Sequence, residues 1–562
     1  MPFLLMVFLT IACLPAWKDP PGWVNSPVLS AVLTWLGVAL TAFEAFWSAR
    51  VVRGALERDP TRRERLSAWY ERRRLVRQFL MIGVYALSLY AFSWGWAAGA
   101  LWSWDGAPPH PMPGVKVLIL APFFVSMFLS WVFAYDADRA LYVAAHRLLE
   151  ADLLARTFLE PSPAVAAPAA ADPGKDFGGR WSNVAFQARQ KLALVFLPVV
   201  LLIVQQEVVL LIPESVQDQW SWQLSIAGVV GVAAVLLSLP WMVRLALGLK
   251  PLPPGPTRDR LTAAARRLRF RCGDVLLWNT RGGMANAMVI GVLPWPRYVI
   301  FTDRFLEEFN GDEVEAVFGH EVGHVKHRHM ALYLAFLMLS MGVLLYACVA
   351  LSPWAPGLGG GALAVSALDG FPVNGAWLPV VGGTFLVYVL VVFGFLSRGC
   401  ERQADVYGCR AVSCGRPDCA GHEHGPELSQ CARGLCPTGV RIFIYALEKV
   451  ASVNGMSRDR PGFFQSWQHG TIARRVAFLY GVLKDPTAEP RFQRRVALVK
   501  WGLIGALGAA LATLVAVCPL SSDGPKPAPD RPPAAVEDHV PNARVTPGGS
   551  VGERWASAPR SP

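Results

Sequence analysis

Two histidines and a glutamate stand together in one short stretch, His320-Glu321-Val322-Gly323-His324. Asn310 or Asp312 can cap a helix that leads into this stretch. On such a helix the two histidines lie one turn apart on the same face, where both imidazoles can bind a single zinc ion. Glu321 can then accept a proton from a water molecule that the zinc activates. The alternative is a pair of packed or exposed histidines on a helix at a membrane surface.

A catalytic zinc site needs a third protein ligand and one open position. One class of enzymes takes a third histidine from a fixed spacing after the motif, but here His327 and Met330 occupy the positions of its glycine and histidine. A carboxylate on a second helix is the other source. Glu401 and Asp405 are spaced one helical turn apart, so Glu401 can bind zinc while Asp405 fixes the tautomer of a ligand histidine. Taken alone, the two carboxylates are more typical of a solvated helix face.

The two motifs together resemble the integral-membrane zinc peptidases that include the bacterial protease HtpX and the eukaryotic CAAX prenyl protease. Three further segments share this resemblance: Asn286-Ala287-Met288, the lead-in helix Gly311–Val317, and His469 followed six residues later by Arg475. Gly470 stands where the family has proline. The resemblance implies a zinc ion bound by His320, His324 and Glu401, with Glu321 as the catalytic base and protein or peptide substrates.

The mechanism of zinc-dependent hydrolysis suggests roles for the residues around the zinc. His469 or Arg475 is expected to stabilise the oxyanion that develops on the substrate, and Arg475 has the alternative of a structural pair with a carboxylate. Residues 284–293 and 297–302 are predicted to be strands. If the first is an exposed edge, a substrate can pair with it as an extended chain. Asn286 would then hold the substrate backbone, or it is a simple turn residue.

The composition predicts the setting of this site. Of 562 residues, 53% are hydrophobic and only 17% are charged, whereas a soluble chain carries about 25% charge. Mean hydropathy is +0.35. This composition excludes a disordered or collagen-like protein and disfavours a water-soluble enzyme. The net charge of +12 fits arginine-rich cytosolic loops better than nucleic-acid binding.

Apolar stretches of bilayer-spanning length recur along the chain. The loops between them alternate between arginine-rich and charge-poor, and the positive-inside rule puts the arginine-rich ones in the cytosol. Residues 3–17 are predicted to be a retained span, because the charged start and cleavage site of a signal peptide are missing. The other predicted spans are Val28–Trp47, Phe79–Trp104, Val117–Tyr135, Leu192–Ile212, Leu224–Leu245, Ala331–Leu351, Trp377–Leu396 and Trp501–Leu520.

These patterns predict a mainly α-helical multispan membrane protein with a cytosolic zincin-like α+β metalloprotease domain, which a transmembrane hairpin divides in two. We expect a transmembrane region at 1–248, the two protease halves at 249–330 and 397–498, and the hairpin at 331–396. A last span at 499–520 precedes a disordered tail at 521–562. The expected location is the bacterial inner membrane, with the active site facing the cytosol.

A cysteine-rich insertion at 409–436 exceeds the motifs of the family. Disulfides are disfavoured in a reducing cytosol, so the insertion is predicted to hold a second, structural zinc ion or to form a redox-sensitive lid. Its candidate ligands are Cys409, Cys414, Cys419, His422, His424, Cys431 and Cys436.

The leading functional hypothesis is a membrane-embedded zinc endopeptidase that cleaves membrane or membrane-associated proteins. Processing of prenylated peptides is the alternative within the same class. A zinc transporter or scaffold without proteolysis is the alternative from another class. Transporters place their ligands inside spans, whereas the candidate ligands here lie outside the predicted spans, which favours the enzyme.

Overall fold

The computed structural model describes the chain between residues 20 and 517, and the account below concerns those residues alone. The predicted first span at 3–17 and the predicted tail at 521–562 lie outside them. The gaps within the described part are residues 21, 104–111, 160–176, 193–199, 202, 206, 209–210, 352–377, 415, 417–418, 422–433, 455, 457, 460–466 and 486.

Helices make up the first part of the described chain, and α1, α4 and α7 are both long and apolar. The helices are α1 (Pro27–Arg58), α2 (Arg63–Tyr90), α3 (Trp94–Leu101), α4 (Val115–Leu159), α5 (Arg180–Leu192), α6 (Glu214–Gln219) and α7 (Ser221–Ala246), with a 3-10 turn at Pro60–Arg62. Many large apolar side chains on them face outward, among them Leu36, Phe43 and Leu245. Exposed apolar surface of this extent suits contact with lipid.

Among the described residues, five helices are long and apolar enough to cross a membrane, and up to seven if each of two bent pairs counts as one span. Most of these helices run past the ends of the predicted spans, because hydropathy marks where apolar residues stop and not where a helix stops. Most of the predicted span at Leu192–Ile212 lies outside the described residues.

A small sheet follows the first helices. Its strands are β1 (Lys250–Pro251), β2 (Asp274–Trp278), β3 (Ala287–Ile290) and β4 (Tyr298–Thr302), in the order β1-β2-β4-β3. Strand β4 runs parallel to β2 and antiparallel to β3. Both strands predicted from the sequence are present, although β3 is shorter than predicted. Because β3 pairs on one side only, it is the edge strand that faces the candidate site.

The helices that carry the site surround this sheet. They are α8 (Pro256–Arg267), α9 (Asp303–Glu308), α10 (Gly311–Lys326), α11 (His329–Leu351), α12 (Leu378–Ala411), α13 (Pro437–Val453), α14 (Ile472–Lys484) and α15 (Ala488–Val517). The largely helical architecture, with several apolar helices and one small sheet, confirms the fold class predicted from the sequence.

Helix α10 begins at a capping box. The Asn310 side chain accepts hydrogen bonds from the Asp312 and Glu313 amides, and the Glu313 carboxylate accepts one from the Asn310 amide at 2.9 Å. Its apolar face packs Val314 and Phe318 into the core beside the sheet. The cap sets the residue at which the helix starts, and the packed face sets the rotation of the helix about its axis. Together they determine the direction in which the two histidine side chains point.

Glycine lets helix α12 approach α10 closely. A Cβ atom on Gly323 would lie 2.9 Å from Tyr407 Cβ and 3.0 Å from Ala404 Cα. Any side chain there would push α12 away, and α12 carries Glu401. The glycine inside the His-Glu-Val-Gly-His motif therefore serves helix packing.

Candidate active site

Three side chains from α10 and α12 converge on one point. The Nε2 atoms of His320 and His324 are 3.2 Å apart. Glu401 Oε2 lies 3.7 Å from His320 Nε2, and Glu401 Oε1 lies 3.6 Å from His324 Nε2. Two imidazole nitrogens and one carboxylate form the donor set of a catalytic zinc site that keeps an open position. The donor set therefore fits zinc.

Burial keeps His324, the second histidine of the motif, in its neutral form. It lowers the pKa of His324 to about 4, so the imidazole is neutral at physiological pH. A neutral imidazole offers a nitrogen lone pair to a metal ion, whereas a protonated one cannot.

Asp405 supports the first histidine from behind. Its Oδ1 lies 3.0 Å from His320 Nδ1, and its side chain is fully buried. A proton held on Nδ1 by this carboxylate leaves Nε2 free to face the convergence point. Asp405 and Glu401 thus act on the same histidine from one helix, one turn apart.

Arg475, on α14, pairs with Asp405. Its Nε donates to Asp405 Oδ2 at 2.8 Å, and its Nη2 donates to Oδ1. Its Nη1 lies 3.6 Å from Glu401 Oε2. Burial disfavours the charged guanidinium, but the pairing with Asp405 outweighs burial and raises the pKa of Arg475 above its usual value. The geometry matches the structural alternative for Arg475, that of a carboxylate partner.

Glu321 lies beside the convergence point and next to the edge strand. Its Oε2 accepts a hydrogen bond from the Val289 amide of β3 at 3.1 Å. Burial raises the pKa of Glu321 to about 7. A carboxyl group with a pKa in this range can accept and release a proton near neutral pH. Zinc binding nearby would add positive charge and favour the ionised form.

His469 reaches the site from the short turn before α14. Its Nδ1 lies 3.1 Å from Glu401 Oε2, and its side chain remains 58% exposed. The Glu401 carboxylate raises the pKa of His469. Gly470, next to it, has a φ of +73°. This left-handed conformation is open to glycine and closed to proline, which explains why glycine can stand at the position where the family has proline.

A fourth histidine, His329, reaches the site from behind His324. Arg328 has a φ of +54°, and this sharp turn between α10 and α11 brings His329 back toward α10. His329 Nδ1 then lies 3.0 Å from His324 Nδ1, and the His329 side chain is fully buried. From the sequence, His327 and His329 are predicted to be interfacial residues or supporting partners. Sequence spacing could not decide between these two roles, because the contact between His329 and His324 depends on the turn at Arg328.

A hydrogen-bonded chain continues from His329 to the last described helix. His329 Nε2 lies 3.2 Å from Gln403 Oε1, which also accepts from Lys500 Nζ on α15. One proton arrangement leaves His324 Nε2 free for a metal: His324 Nδ1–H donates to His329 Nδ1, and His329 Nε2–H donates to Gln403. Each histidine of the motif is thereby held by a buried partner, Asp405 for His320 and His329 for His324.

A cavity of about 700 Å³ opens in front of these groups, between β3 and α13. Asn454 at the end of α13 clamps the chain before β3, since it accepts from the Ala285 amide at 2.9 Å and donates to the Ala285 carbonyl at 2.8 Å. Asn286 also lines the cavity, but its backbone bonds Thr302 of β4. The sequence did not single out Asn454, which lies 169 residues away from Ala285.

The cysteine-rich insertion is partly described. The sulfur atoms of Cys414, Cys419 and Cys436 all lie within 4.8 Å of one another. Cys409 packs instead into an apolar core with Val440 and Phe443, because α12 continues as far as Ala411. The other candidate ligands in this insertion, His422, His424 and Cys431, lie outside the described residues.

The sequence of this chain is similar to those of known proteases. Peptidase family M48 matches residues 270–420. A protease HtpX homologue of Aeropyrum pernix is 29% identical over 230 residues, 38% of this chain and 67% of the relative. One of Pyrobaculum aerophilum is 31% identical over 175 residues, 31% of this chain and 47% of the relative. A CAAX prenyl protease 1 homologue of Arabidopsis thaliana is 32% identical over 81 residues, 14% of this chain and 19% of the relative.

The matches thus span about two thirds of the first relative and under half of the other two. The crystal structure of S. mikatae Ste24p aligns with 82% of this chain and 99% of its own length, at 13% identity and a TM-score of 0.37. On the sequence matches, the chain is similar to metalloproteases: residues 270–420 match peptidase family M48, and the relatives are HtpX and CAAX prenyl protease homologues.

Proposed function

We propose that this protein is a membrane-embedded zinc endopeptidase that cleaves membrane or membrane-associated proteins at the cytosolic face. The convergence of His320, His324 and Glu401 carries the proposal. The two histidines come from α10 and Glu401 from the apolar helix α12, with the apolar helix α11 between them along the chain. Their donor atoms match the ligand set of a hydrolytic zinc enzyme. When bound, zinc would supply a Lewis acid that polarises the scissile carbonyl and lowers the pKa of a water molecule.

Glu321 is the proposed general base. Its Oε2 is anchored to the Val289 amide, so we assign proton transfer to the other carboxylate oxygen. The same group would return the proton to the leaving amine. The proposed role of His469 is to donate to the developing oxyanion, for which its partial exposure to the cavity is suited. Arg475 and Asp405 are proposed to position His320.

The edge strand is the proposed substrate platform. In an antiparallel pair, successive residues point their backbone groups alternately toward and away from the partner strand. The Val289 amide points away from β4 and toward Glu321. The backbone N–H and C=O groups of Ala287, two residues earlier, therefore point the same way. An extended substrate could pair with Ala287 and with the Val289 carbonyl, which would bring its next peptide bond toward Glu321. Asn286 would contact the substrate only through its side chain, because its backbone is occupied.

The cytosolic orientation rests on the distribution of charge. One arginine-rich segment surrounds the connection between α1 and α2 and contains Arg53, Arg62 and Arg73. A second segment leads into the protease domain and contains Arg258, Arg260 and Arg267. The positive-inside rule places both segments on the cytosolic side.

Processing of prenylated peptides is the second candidate. The similarity of 81 residues to a CAAX prenyl protease 1 homologue favours it. A prenyl substrate and a membrane protein would use the same zinc ligands. The two candidates therefore differ in which substrates accumulate on an inactive enzyme, and the mechanism does not separate them.

The test is Glu321→Gln in the full chain, with Glu308→Gln as the matched control because Glu308 is exposed on α9. We expect Glu321→Gln to abolish cleavage of a membrane-protein substrate, retain zinc and trap substrates in native membranes, while Glu308→Gln stays active. Unchanged cleavage by Glu321→Gln would reject the assigned base. Zinc flux through reconstituted vesicles without any proteolysis would favour a transporter.

A further inference from the structure

Three cysteines form a separate buried cluster at the junction between α12 and α13. Cys414, Cys419 and Cys436 are 9%, 6% and 0% exposed, and they pack against one another and not into the neighbouring apolar core. None of the three forms a disulfide bond with another described cysteine. A cysteine that served only as a small apolar side chain would join the core beside it, as Cys409 does. This cluster instead gathers its sulfur atoms around a common point.

Cys436 is placed at the start of α13 as a metal-binding thiolate would be. It is the N-cap residue of the helix, and its Sγ accepts a hydrogen bond from the Gly439 amide at 3.2 Å. Negative charge is favoured at a helix N-terminus, and an amide that points at sulfur stabilises a thiolate further. The Cys436 amide donates to Ser413 Oγ at 3.1 Å, which fixes the chain one residue before Cys414.

We propose that Cys414, Cys419 and Cys436 together bind one structural zinc ion through their thiolates. Thiolates around zinc at about 2.3 Å would be roughly 3.8 Å apart in a tetrahedron, so the observed limit of 4.8 Å requires only a small contraction. Soft sulfur ligands select zinc over hard cations. A disulfide would join two of the sulfur atoms and leave the third unused.

The proposed ion would hold together the two helices that frame the active site. Cys414 follows α12, the helix of Glu401, and Cys436 begins α13, whose Phe443 ring stacks on His320 with 5.8 Å between ring centroids. Cross-linking the ends of these helices would fix the wall of the cavity relative to Glu401. The inference goes beyond the proposed peptidase activity and shares with it only the cytosolic orientation that keeps the thiols reduced.

Cobalt substitution tests the site in the full-length protein, carried in a Glu321→Gln background so that no self-cleavage interferes. The proposed catalytic ligands contain no sulfur, so a sulfur-to-cobalt charge-transfer band can come only from the cysteines. We expect the parent to bind two equivalents of zinc and, with cobalt, to show this band. Cys419→Ser should lose the band and one zinc equivalent, whereas the matched control Cys272→Ser, whose cysteine lies outside the cluster, should keep both.

Further variants separate this inference from the proposed function. His324→Ala should lose the other zinc equivalent and keep the charge-transfer band. A parent protein without the band would overturn the inference, as would Cys419→Ser with undiminished zinc or a bound metal other than zinc. If the parent protein binds zinc at the cysteines but not at the proposed catalytic ligands, the result would contradict the peptidase proposal and would support the cysteine site. If Cys419→Ser fails to fold, the band in the parent still decides the result.

Discussion

His329 Nδ1 lies 3.0 Å from Nδ1 of His324, the second histidine of the His-Glu-Val-Gly-His motif, although a sharp turn at Arg328 separates the helices that carry them. The contact joins His324 to Gln403 and through it to Lys500 on α15. It ties the orientation of a proposed metal ligand to the apolar helices around the site.

His329→Ala should therefore weaken zinc binding. Removal of a partner that orients a metal-bound histidine usually costs about 10- to 100-fold in affinity. We expect a loss in this range by competition with a zinc chelator, with kcat largely restored at saturating zinc. His327→Ala is the control, because the ring of His327 stacks on the ring of His329, whereas the ring nitrogen facing His324 Nδ1 belongs to His329. Equal zinc affinity in the two variants would show that His329 does not orient the ligand.

Arg475→Ala should destabilise the protein. The substitution leaves the carboxylate of Asp405 buried without its arginine, and breaking a buried pair costs about 3–5 kcal/mol. Equilibrium unfolding in detergent measures this loss of free energy, and Arg475→Lys should recover part of it. If Arg475→Ala is stable but has a lowered kcat, Arg475 instead stabilises the oxyanion in the transition state, which is the other role predicted from the sequence.

His469→Ala should leave folding intact, because the side chain is 58% exposed. If His469 donates to the oxyanion, kcat should fall by about 100- to 1000-fold with zinc content unchanged. Steady-state kinetics on a peptide substrate separate the outcomes. A raised KM with an unchanged kcat would mean that His469 contributes to ground-state binding only.

Gly470→Pro should impair activity through His469. Proline cannot adopt the φ of +73° found here, so the turn that presents His469 would have to change. Gly470→Ala should cost about 1–2 kcal/mol of stability for the left-handed conformation. Gly481→Ala is the control, since Gly481 lies in α14 with nothing within 4 Å of an added Cβ. Full activity in Gly470→Pro would show that the position of His469 does not depend on this turn.

The sequence predicted those parts of the site that depend on local pattern. The capped helix of His320 and His324 and the spacing of Glu401 and Asp405 each lie within a few turns of one helix, so periodicity is sufficient to place them. The donor atoms of Glu401 and the histidines then meet in the structure.

The remaining contacts depend on tertiary packing and could not be read from the sequence. Asn454 reaches Ala285 across 169 residues, and His329 meets His324 through a positive φ at a non-glycine residue. Cys409 is separated from the other cysteines because α12 continues to Ala411 as one helix, whereas the sequence predicts a span that ends at Leu396. Hydropathy records the loss of apolar residues there, and it carries no information on whether the helix continues.

An anomalous difference map recorded at the zinc absorption edge tests the central claim most directly. The proposal predicts that this map shows a peak at about 2.0–2.2 Å from His320 Nε2, His324 Nε2 and a Glu401 carboxylate oxygen. A peak at the two histidines without Glu401, or no peak between α10 and α12, would contradict the proposal that these two helices share one catalytic zinc ion.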